Sequence, residues 1–161
     1  MSVGIESVCE YVDFDLRDSL DGGTVVQAVL EKNLPKGIHA LDIKEIPLNS
    51  RPLSDIIQSF TYQISASNSL TPEEMELRLS DFERADSVPI TVGREEKSRH
   101  LDLKEWVRGI EFNGSVLSVT LRVGREGAVN PFDAAAGLLG RTREEARSLR
   151  IRKTFARLAD S

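Results

Sequence analysis

Cysteine, histidine and tryptophan are nearly missing from this chain, which holds one cysteine, two histidines and one tryptophan in 161 residues. The lone Cys9 excludes an internal disulfide, and with only His39 and His100 beside it no Cys/His metal cluster can form. One thiol also cannot hold an iron–sulfur cluster, which needs several thiolates close together. Aromatic residues make up 6% of the chain, so few remain for stacking once a core has taken its share. No apolar run approaches the roughly 20 residues that cross a bilayer, and Met1-Ser2-Val3-Gly4 has no basic region followed by an apolar stretch. A cytoplasmic location with no membrane contact is therefore expected. The hydrophobic fraction of 40% and charged fraction of 29%, with only six prolines, are those of a globular chain of about one domain.

Charge is unevenly placed. Residues 1–86 carry seven Lys or Arg against sixteen Asp or Glu, whereas residues 87–161 carry fourteen against ten. The net charge of −5 averages unlike halves. The last stretch holds Arg141, Arg143, Arg147, Arg150, Arg152, Lys153 and Arg157, a density that suits a surface meeting phosphate or another anion.

Periodicity predicts the elements. Val12, Phe14 and Leu16 alternate with Asp13 and Asp15 as in a half-buried strand over residues 10–16. After Asp21-Gly22-Gly23, the residues Val25, Val26, Val29, Leu30 and Leu34 recur at helical spacing until Pro35-Lys36-Gly37, and Ile38 to Ile46 reads as a second strand. The two prolines of Pro47–Pro52 mark a boundary, and a short helical turn is expected at Leu53 to Gln58. Phe60 to Ala66 alternates as a strand. Thr71-Pro72-Glu73-Glu74 is a capping box, opening a helix to about Arg84 with Met75, Leu79 and Phe82 as its buried stripe. Val88, Ile90 and Val92 form a short strand, Arg94 to Ser98 a loop, and Leu101 and Leu103 another strand. Ile110 to Val123 predicts a hairpin around a type I′ Asn113-Gly114 turn. Asn130 and Pro131 open a helix that Gly140 closes, and Leu149, Ile151 and Phe155 alternate with Arg150, Arg152 and Thr154 in a final strand.

The predicted fold is α+β. Residues 60–157 give the split β-α-β order of a ferredoxin-like sandwich with an elaborated hairpin. Residues 10–46 give only a strand, helix and strand, half of the same motif. The expected organisation is thus 1–50 as the C-terminal half of a ferredoxin-like subdomain and 51–161 as a complete one. Such a half sheet would expose strand edges, from which a homodimer is expected.

The segments Val3-Gly4-Ile5-Glu6-Ser7, Glu10-Tyr11-Val12-Asp13-Phe14, Leu34-Pro35-Lys36-Gly37-Ile38 and Lys44-Glu45-Ile46-Pro47-Leu48 resemble the radical SAM-linked protein family. The likeness extends through Tyr62-Gln63-Ile64, His100 to Leu103 and Leu117 to Arg122. That family, of uncharacterised function, is found fused to or encoded beside cobalamin-binding radical SAM proteins. Its members continue upstream through segments this chain does not contain, which implies a truncated chain, a misassigned start or a split gene product. Where the family has Arg-Pro before its last helix, this sequence has Asn130-Pro131, so no role of that arginine carries over.

The chain contains no nucleophile pair, metal set or phosphate loop that would mark an enzyme, and no cofactor is expected. Cys9, His39 and His100 read as packed or surface residues, and Asp13 and Asp15 as a solvated strand face. Gly124-Arg125-Glu126-Gly127 lacks the lysine and hydroxyl of a phosphate loop. The functional weight falls on Arg147, Arg150, Arg152, Lys153 and Arg157 as contacts to an anion or nucleic acid, with Trp106 as a partner anchor. The resemblance implies a non-catalytic accessory domain that positions an anionic substrate or partner for a radical SAM protein. A free-standing RNA-binding module using the C-terminal basic face is the alternative.

Overall fold

Residues 4–16, 23–65, 70–93 and 98–159 are described in a computed structural model. Two units separate: Val12–Asp55, and Met1–Tyr11 together with Ile56–Ser161. In chain order the elements are β1 (Glu6–Ser7), α1 (Gly23–Asn33), α2 (Leu53–Ile56), β2 (Ile57–Ser65), α3 (Pro72–Arg84), β3 (Pro89–Val92), β4 (Arg99–Asp102), a 3-10 turn (Leu103–Glu105), β5 (Val107–Phe112), β6 (Val116–Gly124), β7 (Gly127–Ala128), α4 (Pro131–Leu139), α5 (Arg143–Ala146) and β8 (Ile151–Leu158). The architecture is mixed α+β. No helix among the described residues is long and apolar enough to cross a membrane.

In the larger unit the main sheet runs β1-β8-β2-β6-β5, with β7 on β6, and β3–β4 is a separate two-stranded sheet. β1 lies parallel to β8, and the other neighbours are antiparallel. Period-2 patterning explains the core. Tyr62 and Ile64 of β2, Leu117, Val119 and Leu121 of β6 and Ile151 of β8 point one way and are buried together with Met75, Leu79 and Phe82 of α3 and Leu138 and Leu139 of α4.

The helix starts follow their caps. Thr71 Oγ1 accepts from Glu74 N at 3.3 Å while Glu74 Oε2 accepts from Thr71 N at 3.0 Å, the expected box, and the expected stripe is buried. Asn130 Oδ1 accepts from Phe132 N at 2.9 Å, and Gly140, at φ +59°, ends α4 in the left-handed region. Inside α4, a Cβ at Gly137 would lie 2.7 Å from Ile90 and 2.8 Å from Leu103, so this helix approaches β3 as closely as it does only because residue 137 has no side chain. α5 repeats the grammar through Thr142 and Glu145, inside a stretch whose more conspicuous feature is its charge.

Four sequence expectations fail for physical reasons. Neither 10–16 nor 38–46 is a strand: only Glu6 and Ser7 of that N-terminal region pair, and alternation without a partner ladder cannot hold β structure. The strand edges expected to support a homodimer are consequently not present among the described residues of 10–46. Leu103 leaves the strand register to begin the 3-10 turn, its N–H bonding Val88 O at 2.9 Å. The β5–β6 turn has Gly114-Ser115 at its tip, because Asn113 Oδ1 takes the N–H groups of Ser115 and Val116 and Asn113 N bonds Val116 O. Finally, β8 does not alternate regularly. Thr61 pairs Phe155 while the next residue, Tyr62, pairs Lys153, which makes Thr154 a bulge: Lys153 keeps the inward side of Ile151, and Phe155, which alternation would also place there, is turned outward. The loop expected at Arg94–Ser98 and the Asp21-Gly22 helix start lie largely outside the described residues.

Candidate functional site

Alternation puts Arg152 and Lys153 on opposite sides of β8, and the bulge brings Arg157 to the side of Arg152. On the outward side, Arg152 and Arg157 are exposed with Phe155 between them, and Arg150 precedes the strand. The parallel pairing of β1 sets Glu6 opposite Arg152, and its carboxylate bridges two guanidinium groups, Oε1 to Arg150 Nη2 at 3.1 Å and Oε2 to Arg152 Nε at 3.4 Å. All three side chains remain well exposed, so these pairs contribute about 1 kcal/mol or less each. Arg157 has no ion-pair partner among the described residues.

On the inward side, Lys153 is 8% exposed. Its ammonium meets Glu10 Oε1 at 2.6 Å and sits 4.5 Å from the centre of the Phe60 ring. Burial pushes the Glu10 carboxyl up, but hydrogen bonds from Lys153 and Ser7 outweigh it and hold the group below the ordinary carboxylate range. Burial raises the Cys9 thiol despite Lys153, and raises the Tyr62 phenol with help from Glu10 and Cys9. Lys153, expected on the basic surface, is instead a structural cation tying residues 9–10 to the sheet, and no external anion reaches it.

The other two predicted residues separate from this group. Arg147 is the C-cap of α5, where it and Arg143 favour the charged form of Asp133. Burial still wins and raises the Asp133 carboxyl, which lies 2.9 Å from Arg143 Nε. Trp106 is 3% exposed with the Arg122 guanidinium 4.1 Å above its ring. A side chain covered in this way cannot anchor a partner, which corrects the expectation for Trp106.

The register shows what surrounds the outward residues. Ser59 of β2 pairs both Arg157 and Arg122, Thr61 pairs Phe155 and Thr120, and Gln63 pairs Arg152 and Ser118. Thr61 and Thr120 share a hydroxyl hydrogen bond of 2.9 Å. The outward face of the sheet thus carries hydroxyls, one amide, one exposed aromatic ring and arginines, with Arg122 already engaged by Glu105 O at 2.9 Å and Glu126 at 3.4 Å. Among the described residues no group of three or more His, Cys, Asp or Glu could hold a metal ion. Guanidinium groups beside an exposed ring are able to contact an anion and a planar group.

Residues 1–131 match the model of a family of uncharacterised proteins conserved in bacteria, DUF2344. The chain belongs to this family. The matched part of this DUF2344 chain contains β1 to β7, so β8 and its arginines lie beyond it. Comparison with curated proteins and with solved structures gave no match.

The sequence placed Arg150, Arg152 and Arg157 in one basic stretch, and the structure shows these three exposed; the sequence did not bring Glu6 or Glu10 to β8 or expose Phe155. Opposite charge between the acidic N-terminal segment and the basic last strand could have paired the first two with β8. Nothing in the local pattern announced the bulge that exposes Phe155.

Proposed function

We propose that this chain is a non-catalytic accessory domain that acts in the cytoplasm with a cobalamin-binding radical SAM protein and positions an anionic substrate or partner against it. The observation that supports the second half of this reading is the exposure of Arg152 and Arg157 on the outward side of β8 and of Arg150 just before it, with Glu6 the one acidic partner of these arginines among the described residues. Guanidinium groups so arranged recognise carboxylate or phosphate by charge-assisted hydrogen bonds. The radical SAM partnership rests on the sequence resemblance. We further infer that the larger unit is a ferredoxin-like split β-α-β sandwich over residues 60–157. The strand order β8-β2-β6-β5, with α3 following β2 and α4 following β6, supports this, and β3–β4 is then an inserted hairpin.

Affinity purification of the tagged chain from its native cell tests the partnership. A radical SAM protein in the eluate, reduced when Arg150 and Arg152 are both replaced by Glu, is the expected result. Its absence under gentle conditions contradicts the reading.

A further inference from the structure

We propose that the outward face of the sheet binds single-stranded RNA, with Phe155 stacking on a base and Arg152 and Arg157 meeting the phosphates on either side. This rests on the reading of β8 as the anion-contacting strand but not on the radical SAM partner.

Phe155 is the first support. Regular alternation would bury it beside Ile151, yet the bulge at Thr154 presents it on the open side at 58% exposure. Leaving a phenylalanine in water forgoes a sizeable burial gain, and bulges are common where a strand re-aims a side chain at a site. A lone exposed apolar residue is ordinary on a protein surface. This one differs in standing within a strand of the main sheet, paired with Thr61 of β2, rather than at a loop or helix surface.

Its neighbours are the second support. Arg157 follows two residues along the strand, about 7 Å away, and Arg152 lies on the other side across the bulge. The cross-strand neighbours Thr61, Thr120 and Gln63 supply hydroxyl and amide groups able to bond base edges and the ribose 2′-hydroxyl. An acidic peptide would use the arginines but has no need of the ring. An apolar partner would use the ring but would strand the arginines and hydroxyls without water. A duplex hides its base faces inside the stack, whereas every unpaired base offers one. A single-stranded nucleic acid uses all of these groups together.

Glu6 then takes a definite part. Its carboxylate occupies Arg150 and Arg152 at 3.1 and 3.4 Å, where a phosphate would sit, so an incoming strand must displace it.

The test is fluorescence anisotropy on the full chain with labelled ten-nucleotide oligouridylate and oligoadenylate. Inorganic polyphosphate, oligoglutamate and a duplex of equal length serve as competing probes. The expected result is single-strand binding that weakens as salt rises. Phe155→Ala should weaken it about 5- to 100-fold with little effect on polyphosphate, and Phe155→Trp should restore it. Arg157→Glu should weaken both probes, and Glu6→Gln should tighten both. Phe155 and Glu6 are exposed, so these variants should fold, as circular dichroism will verify. Polyphosphate or oligoglutamate bound as tightly as RNA, with Phe155→Ala silent, overturns the stacking site while leaving the anion-binding reading standing. Equal binding of the duplex also overturns it. No binding of any probe overturns both readings.

Discussion

The two units of this chain carry similar apolar patterns and fold to different ends. In the larger unit the alternating strands β2, β6 and β8 find one another and the stripes of α3 and α4, and their apolar residues are buried. In Val12–Asp55, none of the described residues is buried, although Val12, Phe14 and Leu16, and again Leu41 and Ile43, hold the strand period. Val12 is 76% and Leu41 77% exposed. The contacts that cross this unit include polar ones: Gln27 Nε2 donates to Ala40 O at 3.1 Å, Glu31 Oε1 accepts from Ala40 N at 2.9 Å, and Asp13 Oδ2 accepts from Leu53 N at 3.0 Å. Exposed bonds of this kind are worth about 1 kcal/mol each, against the 1.5–3 kcal/mol from burying one large apolar side chain. An amphipathic pattern states which side would be buried, and only a covering surface makes it so.

The sharpest way to break this contrast is to truncate one leucine in each unit. Leu121→Ala should cost about 3 kcal/mol by opening a cavity in a closed core, whereas Leu41→Ala should stay within about 0.5 kcal/mol. Urea unfolding followed through Trp106, the only tryptophan and a buried one, reads the larger unit directly. A Leu41→Ala loss comparable to that of Leu121→Ala would mean that the smaller unit has a core after all.

Arg143→Met should cost about 2 kcal/mol at neutral pH by leaving the Asp133 carboxylate buried without its partner. The sign with pH follows from Asp133. Its raised value means that folding favours the protonated form, a contribution present below the ordinary carboxylate range and lost as pH rises through the raised value. The Arg143→Met deficit should therefore shrink on acidification, which denaturation at successive pH values checks. Gly137→Ala should cost about 1–3 kcal/mol because the new methyl meets Ile90 and Leu103. Thr71→Ala should cost about 1 kcal/mol through loss of the α3 cap.

Asp102 works in the opposite sense. The N–H groups of Val88 and Lys104 hold its carboxyl below the ordinary range, so its stabilisation is present above that range and lost as pH falls through the lowered value. Asp102→Asn should flatten the acid limb of the stability profile by lowering the neutral plateau toward the acid value, which denaturation at successive pH values checks. The smallest effect is expected at Leu48→Ser, where the side chain is almost fully exposed, within about 0.5 kcal/mol.

How much could be read in advance follows the range of the interactions. The caps at Thr71 and Asn130 are set by residues two or three apart, and both helices begin where their sequence predicts. The stripe Met75, Leu79 and Phe82 and the alternation of β2 and β6 were equally legible, since each is a property of one segment. The strands at 10–16 and 38–46 were not decidable, because their existence depends on a partner elsewhere. The candidate face fails for the same reason. Arg152 and Arg157 were visible in the sequence, but their relation to Phe155 turns on a bulge set by the pairing of β8 with β2, and the engagement of Glu6 on a strand contact 144 residues away.

Hydrogen exchange of the intact chain, read by mass spectrometry at peptide resolution, tests the central claim that one closed core in the larger unit carries the outward face of β8 while the described residues of Val12–Asp55 form no buried core. Amides of β2, β6 and β8 should exchange only through global unfolding, and those of α1 and residues 38–46 orders of magnitude faster. Equal, slow exchange in both units would contradict the account.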